Sequence, residues 1–486
     1  MKTILFFDRC DLTKLYILLT KELRGKANVI HVAYSNLESK MLVEAGITDY
    51  IDYQKELSLQ IKTLNPTNEL IETIDSFIRS QTNVMLTLNG SIQSDRGYTL
   101  LSYKDTLLLA CCHYTVWKSI FAKQHVDIMY HEPASQFMTH IAGLLCKSQG
   151  GEFLYPTQLQ SDQPGYFFLN VDGEDFTCKE LEINYNYYKK NPEEIDINRC
   201  KKFLDKYRSD YSVAFGGLVK PKTSVCDLYI NAIKHELIRL VKRNSYDKLK
   251  NNIDYWMLNT NLFSEKIYNL RQYKKRNIRF EKPVEGEKYF YYSIHLEPEA
   301  TVLYLSGGKY TNQIKLIENI AASLPAGYYL YVKDHPHEYA YRKADDYERL
   351  INVPNIRLID QHISGKTLIN GAVGVFSIIG TASFEGLMLG KQSYCFGKTY
   401  FTPSPLVTYV DSINNLQDLI NENMERKYQD GIELYTYIYS YLTSLHKGFV
   451  TYFGNDRIQH AGIDENENAK IVAESITAEN NKKVLC

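Results

Sequence analysis

Residues 328–397 read YYLYVKDHPHEYAYRKADDYERLINVPNIRLIDQHISGKTLINGAVGVFSIIGTASFEGLMLGKQSYCFG, and the architecture expected of the whole 486-residue chain follows from them. The stretch contains three short runs of β-branched and aromatic residues, at positions 328–332, 373–379 and 392–396. The first run ends in Lys-Asp-His-Pro and the second in Gly-Thr-Ala-Ser. Apolar runs of this length, bounded by small, polar or charged residues, predict buried β-strands.

A regular alternation extends to both sides of these runs. It predicts strand 301–305, helix 312–324, strand 328–332, helix 337–350, strand 356–359, helix 365–371, strand 373–379, helix 381–389 and strand 392–396. Strands that alternate with helices form a parallel sheet covered on both faces. This part of the chain is therefore predicted to be a Rossmann-like nucleotide-binding domain.

Polar and small residues follow the predicted strands directly. Because ligands bind beyond the carboxyl ends of the strands in an open parallel sheet, these residues are expected to converge on one site. They are Lys333, His335, Ser377, Gly380, Thr381 and Ser383. A helix that begins at Thr381 would point free N–H groups and the positive end of its dipole into the crevice, which suits a phosphate.

A glycine-rich segment, Ser306-Gly307-Gly308-Lys309, follows the first predicted strand of this domain. Two glycines allow backbone N–H groups to approach an anion closely, and Lys309 adds a positive charge. The spacing is not that of a Walker motif, so ATP chemistry is not expected. An ordinary strand-to-helix turn is the alternative, and the expected proximity to His335 and Thr381 favours the anion-binding interpretation.

The motifs of this domain resemble those of a known family. Lys-x-His-Pro at 333–336 is followed by Gly-Thr-x-x-x-Glu at 380–385 and Gly-Lys at 390–391, and SIHLEPEA (293–300) and SLPAGYYLYVKDHP (323–336) extend the match. In this order and spacing they resemble the C-terminal half of the capsule polysaccharide biosynthesis family, although Glu297 stands where glutamine is usual. The resemblance covers residues 289–400 well and residues 1–180 only loosely.

That family contains GT-B-fold glycosyltransferases, among them bacterial Kdo transferases that use CMP-activated donors. The resemblance implies that His335 contacts the base or phosphate of the nucleotide, that Pro336 fixes the turn presenting it, and that Glu385 accepts from ribose hydroxyls. It also places His295 among the donor-binding residues and Glu299 among the candidate catalytic carboxylates. No metal or other cofactor is expected, because cations stand at the phosphate position and no D-x-D-type pair ends a strand.

The beginning of the chain has the same alternation. Strand patterns at 3–8 and 27–35 are followed by helical patterns at 12–23 and 37–45, which predicts a βαβ unit of a second Rossmann-like domain. Asp8 and Arg9 fall at the carboxyl end of the first strand, a position that suits the acceptor side of a cleft. A helix N-cap is an equally good interpretation of this position.

A compact strand at 126–130 ends in His131-Glu132-Pro133, before a predicted helix at 134–147. A GT-B enzyme would place a base or nucleophile at such a strand end, so Glu132 is a candidate catalytic residue and His131 a candidate on the acceptor side. Capping of the helix is the alternative role of Glu132. Asp172-Gly173 is a second acidic candidate, with a hairpin turn as the favoured interpretation.

Residues 185–284 are predicted to form a charged helical insert, with helices at 193–211, 226–243 and 262–276. Residues 231–282 contain thirteen Lys or Arg against five Asp or Glu. These basic helices could contact anionic lipid headgroups peripherally, where a lipid-linked acceptor would lie. A solvated helical insert is the favoured alternative.

The composition narrows the class of protein. With 56 Lys and Arg against 57 Asp and Glu, the chain has no net field that would attract nucleic acid. Its 40 tyrosines could line a sugar-binding cleft, although a compositional bias explains them more simply. The nine cysteines show neither a C-x-x-C pair nor clustering with histidine, which favours a reducing compartment without zinc or disulfides.

The N-terminal apolar run covers only residues 4–7, too short for a signal peptide, and no run approaches the roughly 20 apolar residues that span a bilayer. A cytoplasmic protein, with any membrane contact peripheral and at the inner face of the membrane, is expected. After residue 401 the pattern predicts helices at 413–424, 431–445 and 464–478.

These patterns together predict an α/β protein of the GT-B type, with two Rossmann-like domains facing a cleft and a helical insert. The predicted segments are an acceptor-side domain (1–184), the insert (185–284), a nucleotide-sugar-binding domain (285–462) and a C-terminal helix and tail (463–486). The predicted function is transfer of a sugar, best matched by Kdo or a related sugar from a CMP-sugar, to a surface polysaccharide or lipid-linked acceptor. The alternatives are a CDP-polyol-dependent phosphotransferase of the teichoic-acid type and a non-catalytic nucleotide- or glycan-binding subunit of capsule assembly.

Overall fold

The computed structural model of the chain describes residues 1–82, 86–159, 165–171, 175–209, 224–297, 300–335, 340–424, 430–450 and 464–477. Within these ranges the chain forms two α/β units, each built on its own mainly parallel sheet, and a group of helices joins them in sequence. The predicted α/β fold, with two Rossmann-like domains and a helical insert, is confirmed.

The strands of the first sheet are β1 (Lys2–Asp8), β2 (Ala27–Ala33), β3 (Ile51–Asp52), β4 (Ile128–Tyr130), β5 (Glu152–Gln158), β6 (Tyr166–Val171) and, from late in the chain, β13 (His446–Lys447). Their spatial order is β13-β6-β5-β4-β1-β2-β3. The strands β1 to β5 pair in parallel, whereas β6 and β13 extend one edge in antiparallel fashion. The carboxyl ends of β1 and β4 therefore lie side by side at a topological switch point.

The central strand of this sheet is β1, and its apolar run explains that position. Residues 4–7, Ile-Leu-Phe-Phe, are completely buried, as expected for a parallel strand covered on both faces. Ile4 lies opposite Val29 of β2 and Ile128 of β4. The helices around this sheet are α1 (Leu12–Leu23), α2 (Asn36–Glu44), α3 (Tyr53–Thr63), α4 (Asn68–Gln81), α5 (Leu88–Gln93), α6 (Tyr103–Lys123) and α7 (Phe137–Ser148).

The strands of the second sheet are β7 (Tyr289–Ser293), β8 (Tyr329–Lys333), β9 (Ile356–Ile359), β10 (Gly374–Ser377), β11 (Gln392–Cys395) and β12 (Val407–Tyr409). They all pair in parallel in the order β12-β11-β10-β7-β8-β9. Counted along the chain from β7, this is the 3-2-1-4-5-6 order of a Rossmann fold, whose switch point lies between the first and fourth strands. The crevice that a nucleotide would occupy therefore opens between β7 and β10.

The predicted strand at 301–305 is wrong, because the first strand of this domain is β7 and residues 300–303 form the short helix α13 (Ala300–Leu303). Tyr304, which follows that helix, is drawn toward the first domain. Its hydroxyl donates to the carbonyl oxygen of Ser91 at 2.7 Å, and its ring lies 5.1 Å from that of His140. The apolar run at 301–305 thus packs between the domains instead of joining the sheet.

The remaining helices of the second domain are α14 (Gln313–Ser323), α15 (Ala344–Ile351), α16 (Gly365–Gly371), α17 (Thr381–Met388) and α18 (Leu416–Met424). The helix predicted at 337–350 begins only at Ala344. The reason is a turn before it, in which Ala340 has a φ of 73° and the side chain of Arg342 is buried.

The helices between the domains fall into two groups. The first, α8 (Lys179–Lys190) and α9 (Ile197–Ser209), packs against α19 (Ile432–Thr443). The second comprises α10 (Val225–Lys242), α11 (Asn252–Asn259) and α12 (Leu262–Lys275). The last described helix, α20 (Glu465–Thr477), returns to the first domain and packs on α1. No helix in the described ranges has the length and apolar character needed to cross a membrane.

Candidate active site

His295 joins the two strand ends at the switch point of the second sheet. Its Nε2 atom accepts a hydrogen bond from the backbone N–H of Ile378 at 3.1 Å, just beyond β10. Gln313 holds the other side, accepting from the N–H of His295 at 2.9 Å and donating to its carbonyl oxygen at 3.2 Å. Burial, helped by the charge of nearby His335, lowers the pKa of His295 to about 4. His295 is therefore neutral at physiological pH and positions the loop after β10.

Gly380 packs directly against this imidazole, so closely that no Cβ atom fits without displacing the ring. It is also the N-cap residue of α17, which begins at Thr381 as predicted. The free N–H groups and the positive dipole end of α17 therefore open at the switch point, where an anion is stabilised. Thr381 is exposed there.

Charged side chains of both signs lie at the same edge. Lys333 ends β8 and is 9% exposed, and burial lowers its pKa against the opposing charge of Glu385. Burial likewise raises the pKa of Glu385 to about 7, although the charges of Lys333 and Lys366 oppose this. Lys366 donates to the carbonyl oxygen of Tyr207 and lies 4.6 Å from the centre of that ring. The edge thus combines two cations with a carboxyl group that titrates near neutrality.

A buried charge network fixes the turn that carries His335. Asp334 accepts from the N–H of His335 and from Arg342 Nε, each at 2.7 Å, and from the hydroxyl of Tyr347 at 2.5 Å. The Nη1 atom of Arg342 donates to Glu297 at 2.7 Å. Burial alone would lower the pKa of Arg342, but its two carboxylate partners raise it well above the usual value. His335 itself is partly exposed.

Sequence reasoning missed this network, although one signal for it was present. Glu297 departs from the glutamine usual in the resembled family, and a carboxylate in a half-buried segment needs compensating partners. Arg342 is that partner, and Gln313 also donates to Glu297 at 2.7 Å. No sequence pattern identifies the arginine, because forty-five positions separate the pair.

Two of the serines predicted to bind donor are turned inward. The hydroxyls of Ser377 and Ser383 are hydrogen-bonded to each other at 2.7 Å, and both side chains are fully buried. Ser377 also accepts from the N–H of Gly380 at 3.2 Å. Their role in this structure is to shape the loop before α17. Pro336 lies outside the described residues.

The Ser306–Lys309 segment does not follow a strand, contrary to the expectation that made it a phosphate loop. It follows α13, and Gly307 and Gly308 have φ of 68° and 66°, which glycine adopts easily. A Cβ atom on Gly308 would contact Leu86 and Ser94 of the first domain. Ser306 is buried and donates to the carbonyl oxygen of Val302 at 2.5 Å, whereas Lys309 is exposed. The segment therefore forms part of the interdomain contact.

At the switch point of the first sheet, Asp8 is held by a histidine. Its Oδ2 atom lies 2.9 Å from Nδ1 of His31, whose Nε2 atom lies 2.9 Å from the hydroxyl of Thr20. Asp8 is completely buried, and burial raises its pKa to about 6 despite the opposing effect of His31. The helix that follows has Asp11 as its N-cap residue. Asp8 therefore neither caps α1 nor presents its carboxylate to solvent.

Arg9 and Glu132 lie close together at this edge. The guanidinium of Arg9 lies 5.5 Å from the centre of the Tyr34 ring, and its Nε atom has no hydrogen-bond partner among the described residues. Burial raises the pKa of Glu132, and the charge of Arg9 opposes the shift. The helix after Glu132 begins at Phe137 with Gln136 as its N-cap residue. Glu132 is thus not the cap of that helix, and it remains the candidate for chemistry.

Unpaired polar groups surround this pair. In the described part of the chain, both ring nitrogens of His131, both amide atoms of Gln136 and the hydroxyls of Tyr16 and Tyr130 lack hydrogen-bond partners, although all four side chains are about 1% exposed. Buried polar groups normally have hydrogen-bond partners, so the polar atoms of this cluster can form hydrogen bonds to a bound ligand. Burial, and then the charge of Arg9, lowers the pKa of His131, which is therefore neutral.

Asp95 is a further buried carboxylate here that sequence reasoning did not find. Its two oxygens accept from the backbone N–H groups of Phe137 and Gly97, at 2.7 and 2.8 Å. Burial raises its pKa to about 6 against these hydrogen bonds. Asp95 thereby caps α7 from a distant part of the chain, which no local capping pattern reveals.

Two further acidic candidates from the sequence lie outside the described residues. Glu299 and Asp172-Gly173 lie in ranges that the structure does not describe. Among the described residues, no group of three or more His, Cys, Asp or Glu side chains is arranged to hold a metal ion.

Several solved structures are distantly similar to this chain. KpsC of Thermosulfurimonas dismutans, described as a β-Kdo 2,7 transferase, has 9% sequence identity over 92% of this chain and 93% of that chain, with a TM-score of 0.36. A β-Kdo 2,4 transferase KpsC structure from the same organism has 14% identity over 66% and 82%, with a TM-score of 0.32. UDP-GlcNAc 2-epimerase of Methanocaldococcus jannaschii has 10% identity over 99% and 100%, with a TM-score of 0.30. No residue role follows from similarities this distant.

The sequence itself matches a protein family over part of its length. No curated protein matches the sequence of this chain. The family of capsule polysaccharide biosynthesis proteins matches residues 220–427. That range contains α10 to α12, the whole second sheet and the crevice with Lys333, His335 and Glu385. The resemblance inferred from the motifs is confirmed: residues 220–427 of this chain are similar to the capsule polysaccharide biosynthesis family.

Proposed function

We propose that this protein is a glycosyltransferase of capsule polysaccharide synthesis, which binds a nucleotide-sugar in the crevice between β7 and β10. The observation that carries the proposal is the chemistry of that crevice. The start of α17, Lys333 and Lys366 supply positive charge for a nucleotide phosphate, and Glu385 supplies acceptor oxygens for ribose hydroxyls. His335 projects from the adjacent strand end.

The donor in this proposal is a CMP-sugar, with Kdo or a related sugar as the best match. The family match over residues 220–427 and the Lys-x-His-Pro motif support this choice. The acceptor is a capsular glycan or a lipid-linked glycan, held on the first domain near Arg9 and His131. Their unpaired polar atoms are suited to sugar hydroxyls.

The two domains would act on different parts of the substrates. The cations of the second domain would stabilise the charge that develops on the departing nucleotide phosphate, so no metal is needed for that step. Glu132 would serve the sugar, either as the base for the acceptor hydroxyl or as a nucleophile. Burial raises the pKa of Glu132, which makes it more basic than a solvated carboxylate, and Arg9 limits that shift. A carboxylate with a raised pKa is the stronger proton acceptor in such a step.

A nucleotide-release assay tests the proposal. The purified protein is incubated separately with CMP-Kdo, CDP-glycerol and UDP-GlcNAc, each with a bacterial lipid extract as the source of acceptor. Release of CMP from CMP-Kdo, reduced in His335→Ala, is the expected result. Release of CMP from CDP-glycerol alone would show polyol-phosphate transfer instead. Nucleotide binding without any release would show a non-catalytic subunit.

A further inference from the structure

One side of α10 is apolar and exposed. The inner side of this helix packs through Leu228 and Ala232 against Ile267 of α12. The outer side presents six large apolar side chains that are 39–85% exposed, namely Tyr229, Ile230, Ile233, Leu237, Leu240 and Val241. At 100° per residue these six positions fall within an arc of about 120°, so they form one continuous stripe. The helix thus has two apolar sides. Packing within the described chain uses the inner one, and on the outer one Tyr229 contacts Arg271 of α12.

The exposure is concentrated in this region. Of the 22 exposed large apolar side chains in the described ranges, ten lie between residues 229 and 268. Single apolar residues scattered over a surface are ordinary, whereas a contiguous patch marks an interaction surface. Tyr268 of α12 extends the stripe, and an open groove of about 420 Å³ separates the two helices on this side.

Cations border this apolar surface. Exposed cations on and after the two helices include Lys234, Lys242, Arg243, Arg271, Lys274 and Lys275. Of the nearby acids, Glu236 is already engaged, because it accepts from Arg239 and from Asn261. An apolar helix side with a cationic border is complementary to an anionic lipid bilayer, in which apolar groups enter the acyl boundary and cations meet the headgroups.

A second copy of the chain would be a poorer occupant. A two-fold interface brings the same surface of both subunits together, so the basic borders of two copies would oppose each other. Like charges across an interface disfavour association. The charge pattern therefore favours a lipid surface over self-association.

We propose that the outer side of α10, together with Tyr268, docks this protein on the surface of an anionic lipid bilayer. The helix lies in the plane of the interface, with its cations toward the headgroups. Lipid binding of this kind requires neither donor nor turnover, so it stands independently of the proposed glycosyltransferase activity.

The insert is attached to both domains, and docking would therefore orient the whole enzyme. Lys248, between α10 and α11, pairs with Asp105 of the first domain. Asn269 of α12 donates to the carbonyl oxygens of Ala340 and Tyr341 in the second domain, at 3.1 and 3.0 Å. These contacts would keep α10 in a defined orientation relative to both strand edges.

Vesicle sedimentation tests the inference. The full chain is mixed with vesicles of pure phosphatidylcholine or of phosphatidylcholine with phosphatidylglycerol, and the bound fraction is measured. We expect binding to the mixed vesicles that weakens at high salt and is low on the neutral ones. In Ile233→Asp/Leu237→Asp the vesicle affinity should fall by at least about tenfold, because two side chains no longer enter the bilayer.

Leu37→Asp/Leu59→Asp is the matched control, since these leucines are 61% and 53% exposed on α2 and α3 of the first domain and neither lies on α10 or α12. It should bind vesicles as the wild type does, and circular dichroism should show both variants folded. Wild-type protein that stays in the supernatant with both vesicle types would overturn the inference. So would a dimer, detected by light scattering without lipid, that Ile233→Asp/Leu237→Asp dissociates while vesicle binding is unchanged.

Discussion

A Cβ atom on Gly380 would lie 2.6 Å from Cε1 of His295, closer than real side chains approach one another. This contact matters because Gly380 is the N-cap residue of α17, and His295 lies two residues beyond the end of β7. The position of the helix N-terminus at the switch point thus depends on the absence of a side chain at residue 380.

Gly380→Ala should therefore weaken both the fold and the donor site. Overpacking of this kind costs about 1–3 kcal/mol of unfolding free energy, and displacement of α17 should lower the affinity for CMP. Urea unfolding and calorimetric titration with CMP measure the two effects. Gly365→Ala is the control for the stability measurement, because its nearest neighbour would be the Tyr291 hydroxyl at 3.6 Å. Equal stability of the two variants would contradict the assignment.

Glu385 gives the protein a defined pH dependence. Its pKa is raised from 4.5 to about 7 in the folded state, chiefly by burial. Between these two values the folded state binds more protons than the unfolded state, so the free energy of unfolding falls as pH rises. Above about 7 this contribution is fully lost and the dependence becomes flat.

The comparison that isolates this effect is wild type against Glu385→Gln, since other buried carboxylates remain in both. The stability of the wild type relative to the variant should decrease between about pH 4.5 and pH 7, measured by urea unfolding at several pH values. A relative stability that rises over this range would show that the charges of Lys333 and Lys366 lower the pKa of Glu385 more than burial raises it.

Arg342→Met should be strongly destabilising. The substitution leaves Asp334 and Glu297 without the cation that each contacts at 2.7 Å. Removing one partner of a buried ion pair costs about 3–5 kcal/mol. Arg349→Ala, whose exposed guanidinium pairs with Glu318 at 2.8 Å, should cost about 0–1 kcal/mol. Both variants are measured by chemical unfolding. Similar losses of unfolding free energy would show that the buried ion pairs of Arg342 stabilise the fold no more than an exposed pair does.

Glu132→Gln should abolish transfer while leaving CMP affinity almost unchanged. The amide is nearly isosteric with the carboxylate, and the proposed nucleotide site lies on the other domain. Steady-state kinetics and calorimetry separate the two effects. Glu299→Gln is the paired variant, because the family resemblance includes that carboxylate. Normal turnover in Glu132→Gln, with loss in Glu299→Gln, would move the catalytic assignment to the second domain.

Turnover should survive chelation of divalent metals. The phosphate position in the proposed site is served by Lys333, Lys366 and the start of α17, groups that stabilise negative charge without a metal. Nucleotide release is measured with and without EDTA. Activity that disappears in EDTA and returns with Mg²⁺ or Mn²⁺ would require a different electrostatic assignment.

The sequence by itself determined the parallel architecture and the positions of several strand ends. The strands β8 and β10 and the helix start at Thr381 were predictable, because burial on both faces leaves a continuous apolar signal and a polar stop, although β10 ends at Ser377 and not at residue 379. It also determined that Lys333, His335 and Gly380 fall at one sheet edge, since parallel strands share the direction of their carboxyl ends.

Only the tertiary structure decided which of these polar groups face the crevice. The hydroxyls of Ser377 and Ser383 are hydrogen-bonded to each other inside the loop, and the carboxylate of Asp8 is paired with His31. The first strand of the second domain was predicted at 301–305, which is wrong, because residues 289–293 form β7 instead. Only the tertiary structure shows that Tyr304 contacts Ser91 of the first domain. The physical reason is common to these cases: hydrogen bonds and ion pairs between distant residues leave no periodic trace in the sequence, whereas burial of whole elements does.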